Sequence, residues 1–346
     1  MSNNEMKINS TRRKIILGSA ALPLAGYGSF AYAAPTELKI SHQFPGGTIA
    51  QGDFRDRLCL KFAAEVEKRS KGEMKLQVYP GSSLMKTNSQ IGALRKGALD
   101  IGLVPLPYGG GEIVEANIAL MPALVTSYEQ AAKWKTAECG RLLSKVLESK
   151  GIVILSWVWQ AGGVASRSRA LVNPDDAKGL KVRGGSREFD LMLKAAGASV
   201  ISLPSNEIYA AMQTGAMDAA FTSSTSFISF KLEELSKNFT SARNKSYWFM
   251  LEPLMMSKQV FDTLPSNQKD ILMSVGADME KFGTEAAKAD DKAAAAIYSK
   301  AGSKIIDLDN ASIAKWQEIA RQTAWKDFAE RNETCAAMLK AAEKLL

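Results

Sequence analysis

Apolar positions along the chain follow two alternating rhythms. The run "ELKISHQF" alternates as a strand, and the turn "PGGTIAQGD" follows it. In "FRDRLCLKFAAEVEKRSKG", Leu58, Phe62, Ala63 and Val66 recur at helical spacing, and Gly72 is placed to end that helix. "EMKLQVYP" then alternates again as a strand. This order predicts a β-α-β unit, with parallel strands and a right-handed crossover. A second unit appears downstream: "GLKVR" as a strand, "SREFDLMLKAAG" as a helix with Ser186 as N-cap, and "ASVISLP" as a strand. A short internal echo accompanies the two units. "ALRKGALDIGL" (93–103) and "AMQTGAMDAAF" (211–221) share a helix end, a glycine (Gly97 and Gly215), an Asp and a short strand. The pattern predicts an α/β fold of two similar domains, with strand ends facing a shared cleft. The segment "GIVILSWVWQAGGVA" reads as one buried strand leading into a loop.

The last third has a different rhythm. "SNQKDILMSVGADMEKFGTEAAKADDKAAAAIYSKAG" is almost continuously helical, "SKIIDLD" is a short strand, and the remainder is helical again. Such a helix is suited either to bracing both domains or to forming a simple C-terminal layer.

The first 33 residues stand apart. A basic patch with Arg12-Arg13 precedes a mostly apolar, uncharged stretch from Ile15 to Phe30, and Ala31-Tyr32-Ala33 forms a small-x-small cleavage signal. The segment reads as an export signal of twin-arginine type, removed near Ala33, with general secretory export left open. Its removal changes the charge balance. The whole chain carries 44 basic and 36 acidic residues. Residues 1–33 hold four of the basic and one of the acidic ones, leaving 40 against 35. Those residues are scattered, which argues against a nucleic-acid partner. The three cysteines, Cys59, Cys139 and Cys335, have no CxxC spacing and cannot all pair internally. With His42 as the single histidine, a zinc site or a Ser-His-Asp triad has almost nothing to draw on. No metal or cofactor is expected.

Arg183 is the residue that most suggests chemistry. It ends a predicted strand, is followed by Gly184 and Gly185, and precedes a helix N-terminus. Ligands of open α/β sheets bind beyond the carboxyl ends of the strands. A guanidinium there suits a carboxylate bidentately, and the two glycines let a ligand approach the backbone. The competing reading is an ion pair with Asp175, Asp176 or Glu188. Arg167 and Arg169 are further candidates for positive potential in the cleft. Thr222 and Ser223, in "FTSSTSF", offer neutral donors. Trp159 and Trp248, with Trp157, Tyr108 and Tyr247, are candidate pocket aromatics. "YGGGE" lacks the spacing of a phosphate cradle and reads as a flexible loop.

The ordered set "ELKISHQFPGG", "LRKGALDIGLVPL", "NPDDAKGLKVR", "GASVISLPSNEIYAAMQTGAMDAA" and "FDTLPSNQKDIL" resembles the DctP-type solute-binding proteins of tripartite ATP-independent periplasmic (TRAP) transporters. The resemblance implies the two-domain periplasmic-binding-protein fold, with a hinged cleft and a long helix crossing both domains. Divided accordingly, residues 34–160 and 249–288 form domain I. Residues 161–248 and 289–346 form domain II. The resemblance also implies a periplasmic protein, not an enzyme, that captures an organic acid and delivers it to the membrane permease subunits. It assigns the carboxylate to Arg183 and places Gln43, Asn88, Pro105, Ser205 and Thr222 near the cleft. Many members carry a second cleft arginine twenty residues earlier, where this chain has Gly163. Either Arg167 or Arg169 substitutes, or one arginine and neutral donors suffice. Gly163 beside Trp159 would then leave room for a bulkier acid. A monomer is expected, with a dimer as the alternative. The rival functions are a binding protein of an ATP-driven importer, a sensor adaptor and an exported hydrolase.

Overall fold

The computed structural model describes residues 34–346, so the export signal and its cleavage site lie outside the described residues. Twelve strands form two sheets. They are β1 (Thr36–His42), β2 (Met74–Tyr79), β3 (Ile101–Leu103), β4 (Ile152–Ser156), β5 (Trp159–Ser166), β6 (Lys181–Arg183), β7 (Ser199–Val200), β8 (Ala219–Ser223), β9 (Asn238–Ser241), β10 (Trp248–Leu251), β11 (Leu254–Ser257) and β12 (Lys304–Asp307). The first sheet has the order β2-β1-β3-β11-β4. The second has the order β12-β9-β5-β8-β6-β7, with β10 pairing β5.

Both predicted β-α-β units are present. Strands β1 and β2 are parallel and joined through the helix Phe54–Arg69. Strands β6 and β7 are parallel and joined through the helix Arg187–Ala195, which Ser186 caps by accepting from the Phe189 N–H. The internal echo has a structural meaning. Gly97 and Gly215 both take positive φ, 69° and 76°, where glycine is favoured after a helix end. Asp100 and Asp218, three residues on, each accept a backbone N–H at 2.8 Å, from Lys39 and from Lys181. Each aspartate thereby ties its β-α-β unit to the next parallel strand, β3 to β1 and β8 to β6.

The segment "GIVILSWVWQAGGVA" is two strands rather than one. β4 belongs to the first sheet, and β5, two residues later, belongs to the second. The chain crosses back between Leu251 of β10 and Leu254 of β11. These two crossings are backed by the helix Ser266–Lys300, whose 35 residues span about 52 Å at ~1.5 Å per residue. It buries Leu272 and Val275 with the first sheet's core and Ala294 and Tyr298 with the second's, so it braces both. Among the described residues no helix is long and apolar enough to cross a membrane. All three cysteines are free and buried.

Candidate functional site

The carboxyl ends of the parallel strands in both sheets deliver the candidate residues. β1 leads into Gln43, β3 into Pro105 and Tyr108, β6 ends at Arg183, β7 leads into Ser205, and β8 carries Thr222 and Ser223. Arg183 is 2% exposed and has no carboxylate within 4 Å among the described residues. Instead Nε donates to the Leu203 carbonyl (3.1 Å), Nη1 to the Phe221 carbonyl (2.8 Å) and Nη2 to the Tyr108 hydroxyl (3.0 Å). A guanidinium has five N–H groups, so two remain for a ligand. Neither Asp175, Asp176 nor Glu188 pairs with it, which removes the ion-pair alternative. Burial lifts the Asp190 carboxyl to about 6, with the Arg183 charge opposing.

Gly185 makes this arrangement possible. It takes φ +101°, and a Cβ there would sit 2.8 Å from Arg183 Nη1 and 3.2 Å from Cζ. Gly185→Ala is therefore expected to displace the guanidinium and weaken acid binding by roughly tenfold, at a backbone cost of about 1–3 kcal/mol. Titration calorimetry beside a thermal melt checks this, and unchanged affinity would show that the guanidinium has slack.

The other candidates divide. Gln43 is 3% exposed, and neither atom of its amide has a hydrogen-bond partner among the described residues. Ser205 is buried and its N–H donates to the Tyr108 hydroxyl (3.0 Å). Thr222 is buried on β8 beside the Phe221 carbonyl that holds Arg183. Pro105 is buried where the turn carrying Tyr108 begins. Asn88 is exposed and lines a cavity of about 700 Å³, together with Tyr108, Gly185, Lys194 and Leu203. "YGGGE" is ordered rather than loose, since its first residues complete the 3-10 turn Leu106–Gly109.

Four candidates go elsewhere. Arg169 is exposed and donates to the carbonyls of Asp176 and Lys178, tying down the turn before β6. Trp159 packs edge-on against Trp134 at 5.2 Å and lines a groove beside the long helix. Trp248 is a core residue whose indole N–H donates to the Gly184 carbonyl (3.0 Å), supporting the Arg183 turn from behind. Ser223 caps the helix Ser224–Ser229 and receives a bond from Arg55. Gly163 offers no open space: a Cβ there would lie 2.0 Å from the Thr240 carbonyl oxygen. The room for a bulkier acid expected at this position is filled by β9 backbone. Arg167 does not stand in for the missing arginine either, because it lies against Gly215.

Sequence reasoning missed Arg55. It is 1% exposed, bonded twice to Asp53 (2.9 and 2.7 Å), and stacked over Phe44 at 3.5 Å. Its Nη1 reaches Ser226 (3.0 Å) and Glu252 (3.5 Å). It therefore joins the first unit's helix to the helix after β8 and to the crossing between sheets. Burial alone would raise the Asp53 carboxyl, yet the charge and hydrogen bonds of Arg55 hold it below the ordinary range. His42 is fully engaged: Nδ1 accepts from the Phe44 N–H (3.2 Å), so Nε2 carries the proton toward Asp56 (3.0 Å). No ring nitrogen is left to activate a serine.

Burial pushes Glu188 and Glu252 up to about 7 and Asp291 up to about 6. Arg187 opposes the shift at Glu188; Arg55 and Gln160 oppose it at Glu252. Groups raised in this way hold protons in the fold that the unfolded chain releases near pH 4 to 5. Between there and about pH 7 the folded state binds more protons, and stability falls as pH rises. The thermal midpoint is expected to be higher at pH 5 than at pH 7.5. Glu188→Gln, at a buried carboxyl whose nearest charge is Arg187 Nη1 at 3.6 Å, should flatten that slope. A midpoint rising steadily from pH 5 to 7.5 would contradict this account.

Known proteins share this fold. Residues 48–332 match the family model described as bacterial extracellular solute-binding protein, family 7, DctP. A solute-binding protein of Albidiferax ferrireducens is 65% identical over 318 residues, covering 92% of this chain and 94% of that protein. The C4-dicarboxylate-binding periplasmic protein DctP of Rhodobacter capsulatus is 29% identical, covering 96% of this chain and 98% of its own length. A crystal structure of a TRAP periplasmic solute-binding protein from Rhodoferax ferrireducens, with bound malonate, superposes with a TM-score of 0.88 at 66% identity. That likeness covers 89% of this chain and 98% of the other. With two sheets, strand-end donors and a helix bracing both, the chain belongs to bacterial extracellular solute-binding protein family 7.

Proposed function

We propose that this protein captures a small organic acid on Arg183, between a domain built on the first sheet and one built on the second. It then hands the acid to the membrane permease subunits of a TRAP transporter. The observation that carries the reading is the buried Arg183 guanidinium, which has two unassigned N–H groups and no carboxylate of its own. Gln43, with its unpartnered buried amide, and the hydroxyls of Ser205 and Thr222 supply the neutral donors. The malonate in the 66%-identical structure is consistent with a short acid, and the backbone packed at Gly163 disfavours a bulky group there. We take the domains as residues 34–160 with 249–288, and residues 161–248 with 289–346. Residues 1–33 would direct export to the periplasm and be removed near Ala33.

Binding would shift the balance of open and closed forms by the acid's preference for the closed one. The test is thermal unfolding with malonate, succinate, malate, glucuronate and an aromatic acid. An acid at a hundred times its Kd stabilises the fold by about 2.7 kcal/mol. A shift with the short acids supports the reading, and no shift with any of them opposes it.

A further inference from the structure

The Tyr108 hydroxyl has an incomplete set of bonds. It sits on the 3-10 turn after β3, packed on the helix Gln90–Arg95 through Gly109 and Ile91, and so belongs with the first sheet. Its two observed partners belong to the second sheet. The oxygen accepts from Arg183 Nη2 at 3.0 Å and from the Ser205 N–H at 3.0 Å. A phenol has two acceptor positions and one proton. Both acceptor positions are filled by N–H donors, so the O–H must point elsewhere, and no described residue accepts it. Tyr108 is half-buried and lines the 700 Å³ cavity. One further contact crosses the same rim: Thr87 Oγ1 lies 3.5 Å from Asn206 Oδ1.

We propose that Tyr108 is a specificity-determining residue that latches the two domains through Arg183 and Ser205 and donates its phenolic proton to an oxygen of the bound acid. This rests on the reading of Arg183 as the acid's anchor. The latch forms only when the first-sheet turn meets the second-sheet strand ends, so the donor is complete only in the closed form. A carboxylate has up to four acceptor positions, enough for this proton and the two remaining Arg183 N–H groups. The anion also polarises the phenol, which strengthens its bond to the acid. The residue should act mainly on how long the acid stays, since it closes behind the ligand.

The test is binding of malonate, succinate and glucuronate by calorimetry and stopped-flow to the wild type, Tyr108→Phe and Arg183→Lys. Tyr108→Phe keeps the ring and removes only the hydroxyl. The expected result is affinity at least about tenfold weaker for the best-bound acid, carried by faster dissociation. Circular dichroism confirms that each variant is folded, and Tyr108→Trp serves as the second variant should Tyr108→Phe fail to fold. Unchanged affinity in Tyr108→Phe, with Arg183→Lys impaired, would overturn this inference alone. Tighter binding would also overturn it, because the hydroxyl would then be competing with the acid for Arg183. If the wild type binds none of the three acids, or Arg183→Lys binds as wild type does, the anchor reading fails and this inference falls with it.

Discussion

Arg183→Lys is expected to weaken organic-acid binding by about a hundredfold, although it preserves the charge. The guanidinium makes three bonds at once in three directions, to the carbonyls of Leu203 and Phe221 and to the Tyr108 hydroxyl. A lysine ammonium has three donors on one nitrogen and cannot satisfy those acceptors and still present a planar fork to a carboxylate. A bond involving a charged group contributes about 1.5–3 kcal/mol, and about 2.7 kcal/mol corresponds to a hundredfold. Arg183→Ala should also abolish binding, but it leaves three acceptors unpaired and loses stability as well. The lysine variant is therefore the cleaner test. Calorimetry measures the affinity, and a melt without acid shows how much of the change is structural.

Arg55→Met is expected to destabilise the protein by about 3–5 kcal/mol, the range for breaking a buried pair by removing one partner. The methionine fills much of the same space, so little of the loss should come from a cavity. What remains is a buried Asp53 carboxylate stripped of its two strongest bonds, and Ser226 and Glu252 without their shared donor. At about 2–4 °C per kcal/mol, the thermal midpoint should fall by roughly 10 °C. Asp53→Asn combined with Arg55→Met should recover part of that loss, because the uncompensated charge is gone. A shift under about 2 °C for Arg55→Met alone would mean that water reaches the pair.

The fold was legible where local chemistry decides it. The two β-α-β openings, the Ser186 cap and the matched Gly97 and Gly215 each depend on residues close in sequence. The Asp100 and Asp218 bonds explain why the echo exists, since each clamps a neighbouring parallel strand. The two-sheet crossing was not legible. "GIVILSWVWQAGGVA" is evenly apolar, and its break at Trp157-Val158 depends on which distant strands receive each half. Arg55 was hidden for the opposite reason: "DFRDRLC" alternates in charge and reads as a solvated helix start, yet Asp53 pairs with Arg55 and Asp56 with His42, and all four are buried.

The candidate site residues were legible chiefly at the strand ends. Arg183 was reached through the rule that ligands meet the carboxyl ends of parallel strands, and Thr222 through the hydroxyl run after a strand, whereas Gln43 and Ser205 came only from the resemblance to the DctP-type proteins. Arg169 looked similar in sequence but serves the carbonyls of the turn that precedes β6. Trp159 and Trp248 were chosen for their aromatic rings, and both rings go to packing. Tyr108 stood among the aromatics without distinction, because its role comes from two partners 75 and 97 residues away.

The most direct test of the central claim is titration of a short dicarboxylic acid into the wild type and Arg183→Lys, at one pH and at two salt concentrations. The account predicts saturable one-site binding to the wild type, weaker at higher salt, and about a hundredfold loss in the variant with the fold intact. Equal affinities in the two proteins would contradict it, and would make Arg183 a structural tie between Leu203, Phe221 and Tyr108 rather than the residue that holds the acid.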